Sequence, residues 1–207
     1  MLQEQTVDKV TLDILKALMG HPYLADYWLV GGTSLALQIG HRKSIDLDLF
    51  GNGQLEDEQV TELLNDLGYE HIWLNRSKSI KSLIVSGVKT DIVNYRYNWI
   101  HDGLIVDDIR LSSRADIAAM KLSAITGRGS KKDFIDLHFL LKEYSLSEMM
   151  EYYSSKFPDG SSFLVLKSLT YFEDADAQVM PEMFESVSWS AVKNSIIRAQ
   201  KEYVTNL

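Results

Sequence analysis

Residues 28–50 read WLVGGTSLALQIGHRKSIDLDLF, and the organisation of the chain turns on that stretch. A short apolar run ends in Gly31-Gly32, a pair that permits a sharp turn and a close backbone approach to a ligand. Thr33 or Ser34 is placed to cap a helix running to about Ile39, and Gly40 to stop it. A basic patch, His41-Arg42-Lys43, then leads into Ile45-Asp46-Leu47-Asp48-Leu49-Phe50. Strand periodicity puts Asp46 and Asp48 on one face and Ile45, Leu47 and Leu49 on the other. Two neighbouring carboxylates repel when ionised, so a fold keeps them in solvent or around a cation. Mg²⁺ accepts one or two protein carboxylates and takes its other ligands from substrate phosphates and water. The spacing therefore predicts a phosphoryl- or nucleotidyl-transfer site. A solvent-facing strand beside an ordinary Gly-Gly turn has the same local pattern.

Working outward, residues 6–19 carry Val7, Val10, Ile14, Leu15 and Leu18 at helical spacing, and Gly20-His21-Pro22 ends that helix. A second helix covers 55–67, with Val60, Leu63, Leu64 and Leu67 on its apolar side and Gly68 as C-cap. Three strand-like pieces follow at 71–74, 81–85 and 88–95. Ser86-Gly87 is the two-residue hairpin signal between the last two. In the returning strand, Lys89, Asp91, Val93 and Tyr95 share one side. Asp91 thus sits in an apolar-rich strand, where an ionised carboxylate wants a partner or a metal. Residues 100–111 read as irregular or partly extended. From Ser112 onward the pattern is helical, with segments to about Ile125, over 131–144, from Ser147 through Tyr153, over 161–171 and over 189–204. The expectation is an α+β protein: a mixed-sheet α/β core over residues 1–110, then a helical module over 111–207.

Composition narrows the class. The 207 residues are 45% hydrophobic, with ten tyrosines, seven phenylalanines and four tryptophans, which is not a disordered composition. The formal net charge of −8 argues against broad non-specific nucleic-acid binding, while leaving room for local basic patches. Cysteine is absent, so disulfides and thiolate metal sites are excluded. No apolar run reaches the length of a membrane span, and MLQEQTVDK has no apolar core after a basic region. The expected location is cytoplasmic, with no membrane partner.

Three features beyond the opening stretch bear on chemistry. Two metal ions, or one ion and a polarised hydroxyl, need about three converging carboxylates; Asp46 and Asp48 supply two from one strand, and Asp91 a third from another. The glycine turn and the helix start after it offer backbone N–H groups to a triphosphate. Arg42 suits a phosphate contact, or it offsets the acidic cluster. Lys121 lies among apolar residues, as a functional position or as a snorkelling lysine. Lys132 and Asp136 share a helix face, which also describes a plain surface pair. Tyr95, Tyr97 and Trp99 alternate, as a stacking surface for a base or as strand packing.

GGTSLALQIGHRKSIDLDLF closely resembles the signature of the abortive-infection type E (AbiEii-like) toxin nucleotidyltransferases, within the polymerase-beta-like superfamily. The resemblance continues through Asp91 in VKTDIVNY, through Asp116 to Leu122 (DIAAMKL) and through RGSKKDFIDL at 128–137. It implies a nucleotidyltransferase fold and Mg²⁺- (or Mn²⁺-) dependent transfer of a nucleoside monophosphate from an NTP. By the same resemblance Gly31, Gly32 and Thr33 hold the triphosphate. Asp46, Asp48 and Asp91 bind metal, with Asp91 completing the site or helping to activate the acceptor. Lys121 contacts nucleotide phosphates, and Lys132, Asp133 and Asp136 form the later nucleotide motif. Candidate partners are a tRNA or other RNA acceptor and a separately encoded antitoxin. Two rival readings remain: transfer to an aminoglycoside-like small acceptor, and a non-catalytic nucleotide- or partner-binding protein of the same fold. Larger family members carry a longer C-terminal region.

Overall fold

The computed structural model describes residues 1–206. The chain forms two compact units: residues 1–96 with 103–112, and residues 97–102 with 113–206.

The first unit is built on a seven-stranded mixed sheet. Its strands are β1 (Trp28–Leu29), β2 (Leu47–Gly51), β3 (His71–Arg76), β4 (Ile80–Val85), β5 (Val88–Asn94), β6 (Leu104–Val106) and β7 (Ile109–Leu111), in the order β3-β4-β5-β2-β1-β7-β6. β2 runs parallel to β5 and antiparallel to β1, and β1 runs parallel to β7. The helices are α1 (Lys9–Gly20), α2 (Gly31–Ile39) and α3 (Asp57–Asp66). Ile14, Leu15 and Leu18 of α1 and Val60, Leu63 and Leu64 of α3 share one hydrophobic core with Leu29, Leu47, Leu49, Leu83, Ile92 and Leu111 of the strands. Alternation in β2 thus places Leu47 and Leu49 inside and leaves Asp48 on the other face, half-buried. Full burial of one such leucine side chain is worth about 1.5–3 kcal/mol, so a one-residue slip of β2 is strongly disfavoured.

Several expectations are corrected here. Gly31-Gly32 is not a turn ahead of the helix but its first turn. Val30 occupies the cap position with no side-chain cap bond, and neither Thr33 nor Ser34 caps. Gly40, at φ +74°, does end α2. β2 begins at Leu47 rather than Ile45; the Asp46 carbonyl accepts from the Thr33 hydroxyl, and Ile45 is 49% exposed. Val10 of α1 is likewise exposed; Thr11 and Leu12 face inward instead. Ser86-Gly87 turns β4 into β5 with both residues at positive φ, as the two-residue hairpin requires. Residues 100–111, read as irregular or partly extended, are extended over two short strands that form a hairpin. Asp107-Asp108, at φ +51° and +63°, connects β6 to β7. Aspartate tolerates that conformation better than most residues, but without a glycine the turn signal is weak.

The second unit contains α4 (Arg114–Gly127), α5 (Lys131–Leu140), α6 (Leu146–Lys156), α7 (Ser162–Ser168), the short α8 (Glu173–Asp176) and α9 (Trp189–Thr205). α4 is buried over most of its circumference, through Ala115, Ile117, Ala118, Ala119, Leu122 and Ile125. Ser113 caps α4 by accepting from the Asp116 amide, and Ser130–Asp133 and Ser145–Glu148 form capping boxes on α5 and α6. Asp116 ties in residues 97–102: it accepts from the Ile100 and His101 amides and pairs with Lys156 at 2.6 Å, both side chains fully buried. Burial outweighs Asp116 in setting the Lys156 ammonium, which lies below the ordinary lysine range. Tyr97 packs edge-on against Phe157, and the Lys156 ammonium sits 4.7 Å from the Trp99 ring centre. β5 ends at Asn94, so Tyr95, Tyr97 and Trp99 do not share a strand face. Among the described residues no helix is long and apolar enough to cross a membrane.

Candidate active site

β2 and β5 set the geometry. Their parallel register pairs Asp48 with Asp91, and the antiparallel register of β5 with β4 pairs Asp91 with Ser82. Paired residues on neighbouring strands project to the same face. Ser82, Asp91 and Asp48 therefore form a polar row across three strands, opposite the face that carries Leu47, Leu49, Leu83 and Ile92. Asp91 is engaged at both oxygens: Oδ1 accepts from the Ser82 hydroxyl, and Oδ2 accepts from the Lys89 ammonium at 2.9 Å. The hydrogen bond to Asp91 raises the Lys89 pKa; partial burial opposes it, and the charges of Asp91, Asp48 and Asp46 add to it. All three carboxylates thus act on one ammonium.

The row ends at α2. Gly31 has φ +69°, and a Cβ built there would lie 2.7 Å from Asp48 Oδ2. The backbone conformation favours glycine, and a side chain here would also have to push the Asp48 carboxylate aside. Behind the row, Thr33 and Ser44 are buried, and their hydroxyl oxygens lie 2.9 Å apart. The Thr33 hydroxyl donates to the backbone carbonyl of Asp46 and so is not free for a ligand. Arg42 is 2% exposed and donates to the Lys43 carbonyl and to Ser44. Its guanidinium braces the segment that delivers Asp46.

The donor set suits a hard cation. Asp46 and Asp48 are both half-buried, lie two residues apart and act on the same ammonium, and hard divalent cations take carboxylate oxygens. Asp91 is held by Ser82 and Lys89, and among the described residues no three carboxylate or imidazole groups converge closely enough to hold an ion by themselves.

The later candidates lie in the helical unit and form an ion cluster of their own. Lys121 on α4 pairs with Asp133 at 2.9 Å and with Asp136 at 2.6 Å, the latter two on α5. All three are buried. Asp133 also accepts from Arg128 at 2.9 Å and from Ser130. Burial works against its charge, but Lys121, Arg128 and Ser130 prevail and hold the Asp133 carboxyl well below the usual carboxylate range. Asp136 therefore pairs across helices with Lys121, whereas Lys132 is exposed.

Residues 13–112 match the family described as "Nucleotidyl transferase AbiEii toxin, Type IV TA system". That span holds α2, Asp46, Asp48 and Asp91. The chain belongs to the AbiEii-like nucleotidyltransferase family. An uncharacterised protein of Aquifex aeolicus is 33% identical over 189 residues, covering 87% of this chain and 89% of that one. Two solved structures share the fold of this AbiEii-like chain. A candidate nucleotidyltransferase from H. pylori is 18% identical, with TM-score 0.59, over 97% of this chain and 99% of the other. MenT4, a nucleotidyltransferase toxin of Mycobacterium tuberculosis, is 16% identical, also with TM-score 0.59, over 96% and 83%. The mixed sheet followed by a helical module is thus a polymerase-beta-like nucleotidyltransferase fold.

Lys89 and Ser82 are the residues of this AbiEii-like site that the motif reading passed over. Strand alternation had already placed Lys89 on the Asp91 side of β5. Only the register of β4 against β5 brings Ser82 to the same carboxylate.

Proposed function

We propose that this AbiEii-like protein transfers a nucleoside monophosphate from an NTP to an acceptor hydroxyl, with an RNA such as a tRNA 3′ end as the acceptor. The observation that carries the reading is the row Asp48–Asp91–Ser82, with Asp46 beside it, ending against the Gly31 start of α2. In the reaction a bond forms between the acceptor oxygen and the α-phosphorus. The bond to the β-phosphate bridging oxygen breaks, and pyrophosphate leaves. Asp46 and Asp48 would hold the divalent cation, which when bound supplies charge stabilisation to the attacking and leaving oxygens. Asp91 would complete that set or take the acceptor proton. The amides of Gly31, Gly32 and Thr33, at a helix start without a side-chain cap, would receive phosphate oxygens.

The family resemblance also assigns Lys121, Lys132, Asp133 and Asp136 to the nucleotide. Of these, Lys132 has its charge open to a phosphate; the other three support one another. Membership of the AbiEii family favours a toxin role opposed by a separately encoded antitoxin, with MenT4 a toxin of the same fold. The acidic net charge favours the second reading, a cationic small-molecule acceptor.

Labelled NTPs incubated with Mg²⁺, total bacterial RNA and protein test the reading. Label should enter a tRNA-sized band with wild type and vanish with Asp46→Ala/Asp48→Ala. Transfer undiminished in that variant overturns the site. Label that moves only when aminoglycosides replace RNA overturns the acceptor.

A further inference from the structure

Lys89 has no role in the scheme above, yet it stands where the scheme needs a cation. The pairing of β2 with β5 begins at Leu47 opposite Thr90. Lys89, one residue earlier on β5, therefore lies at the end of β2 from which Asp46 extends. Its ammonium is 2.9 Å from Asp91 Oδ2, with side-chain exposures of 45% for Lys89 and 19% for Asp91. Asp46 and Asp48 add to the potential that holds it. The ammonium thus pairs with Asp91 on a partly open face, within electrostatic reach of Asp46 and Asp48. A divalent cation entering the same carboxylates meets that positive charge at short range, and like charges repel more strongly the less water lies between them. The lysine stem is long and flexible, and Lys89 is exposed enough to leave. A triphosphate arriving with the cation offers the displaced ammonium new anionic oxygens.

We propose that Lys89 is the resident counter-ion of the carboxylate face: it holds Asp91 until a divalent cation arrives, then passes to the phosphates of the incoming nucleotide. Cation and nucleotide consequently bind best together, and each is disfavoured alone. The rival account is a surface ion pair between residues two apart on one strand, which contributes little. The proposal rests on the reading of this face as the cation and nucleotide site, so its test is arranged to separate the two.

The measurement is Mn²⁺ binding to the full chain by the loss of the free-ion electron paramagnetic resonance signal. It is made with Mn²⁺ alone and with Mn²⁺ plus a non-hydrolysable NTP analogue, on wild type, Lys89→Met, Lys89→Arg and Asp48→Ala. Lys89→Met should bind Mn²⁺ alone about tenfold more tightly, and the gain in Mn²⁺ affinity from the nucleotide should shrink by a similar factor. Lys89→Arg should stay near wild type, and Asp48→Ala should lose Mn²⁺. An unchanged Mn²⁺ affinity in Lys89→Met, with binding still lost in Asp48→Ala, overturns the counter-ion role and leaves the site standing. Wild-type Mn²⁺ binding by Asp48→Ala overturns the site and the Lys89 proposal together. The Lys89 side chain is 45% exposed and on the surface of the sheet, so its variants should keep a melting temperature close to wild type, which checks that the fold is intact.

Discussion

Two charge clusters of this chain, one in each unit, are arranged in opposite ways. In the helical unit, Lys121 is buried with Asp133 and Asp136, and Lys156 with Asp116. Each carboxylate there meets a cation or several hydrogen-bond donors within 3 Å or slightly more. In the sheet unit, Asp46, Asp48 and Asp91 share a half-open face, and all three act on Lys89. The first arrangement is nearly balanced and closed, so removing one member leaves a buried charge without compensation. The second is half-open to solvent and groups three like charges, so removing one carboxylate also removes repulsion between them. Matched buried charge holds a structure together, and like charge grouped on a half-open face remains available to a ligand.

The comparison breaks most visibly at Asp48. Asp48→Ala should lower transfer by about a thousandfold or more, roughly 4 kcal/mol of transition-state stabilisation. Its denaturation midpoint should stay at or slightly above wild type. A parallel loss of stability would place Asp48 with the structural charges. The converse is Asp136→Ala, which strands Lys121 with one fewer partner in a dry interior. Breaking a buried pair in this way costs about 3–5 kcal/mol, visible in urea or thermal unfolding. A loss under 1 kcal/mol would show that water reaches the cluster.

Gly31→Ala probes the boundary between backbone and site. The positive φ alone costs of order 1–3 kcal/mol, and the new methyl must displace Asp48 Oδ2 from 2.7 Å. Activity should fall with stability. In an Asp48→Ala background the same substitution should cost less stability, because only the backbone strain remains. Equal costs in both backgrounds would show that the contact with Asp48 has no weight.

The smallest effect is in pH. The Asp133 carboxyl is held below its ordinary value of 3.8 in the folded chain. Its contribution is therefore fully present above about pH 4 and is lost as pH falls through the folded value. Asp133→Asn, already less stable at neutral pH, should lose less stability than wild type over that acid window. Parallel acid-unfolding curves for the two proteins would remove Asp133 from the account.

Much of this was legible in the sequence where a signal is local. Alternation at Leu47-Asp48-Leu49 marked the inward and outward faces of β2. Gly40 and Gly68 marked helix ends, and Ser86-Gly87 marked the hairpin. The signals failed where a distant partner decides. Nothing local says that the Thr33 hydroxyl is spent on the Asp46 backbone, that buried Arg42 braces the chain, or that Asp136 turns from Lys132 to a lysine on α4. The Asp107-Asp108 turn was not legible because it lacks the glycine that usually announces one.

By itself, then, the sequence determined the periodicities, the glycine positions and the carboxylate spacing, all set by backbone geometry within a few residues. The tertiary structure decided which carboxylates meet which cations, because those distances depend on strand register and helix packing between residues far apart in the chain. Asp91 beside Asp48, with Lys89 among the acidic groups, is a consequence of the parallel register of β2 and β5. Lys121 beside Asp133 and Asp136 follows from α4 packing on α5. In the first case the charges stay on an open face and in the second they are closed in, and that difference in burial separates the proposed chemistry from the scaffold.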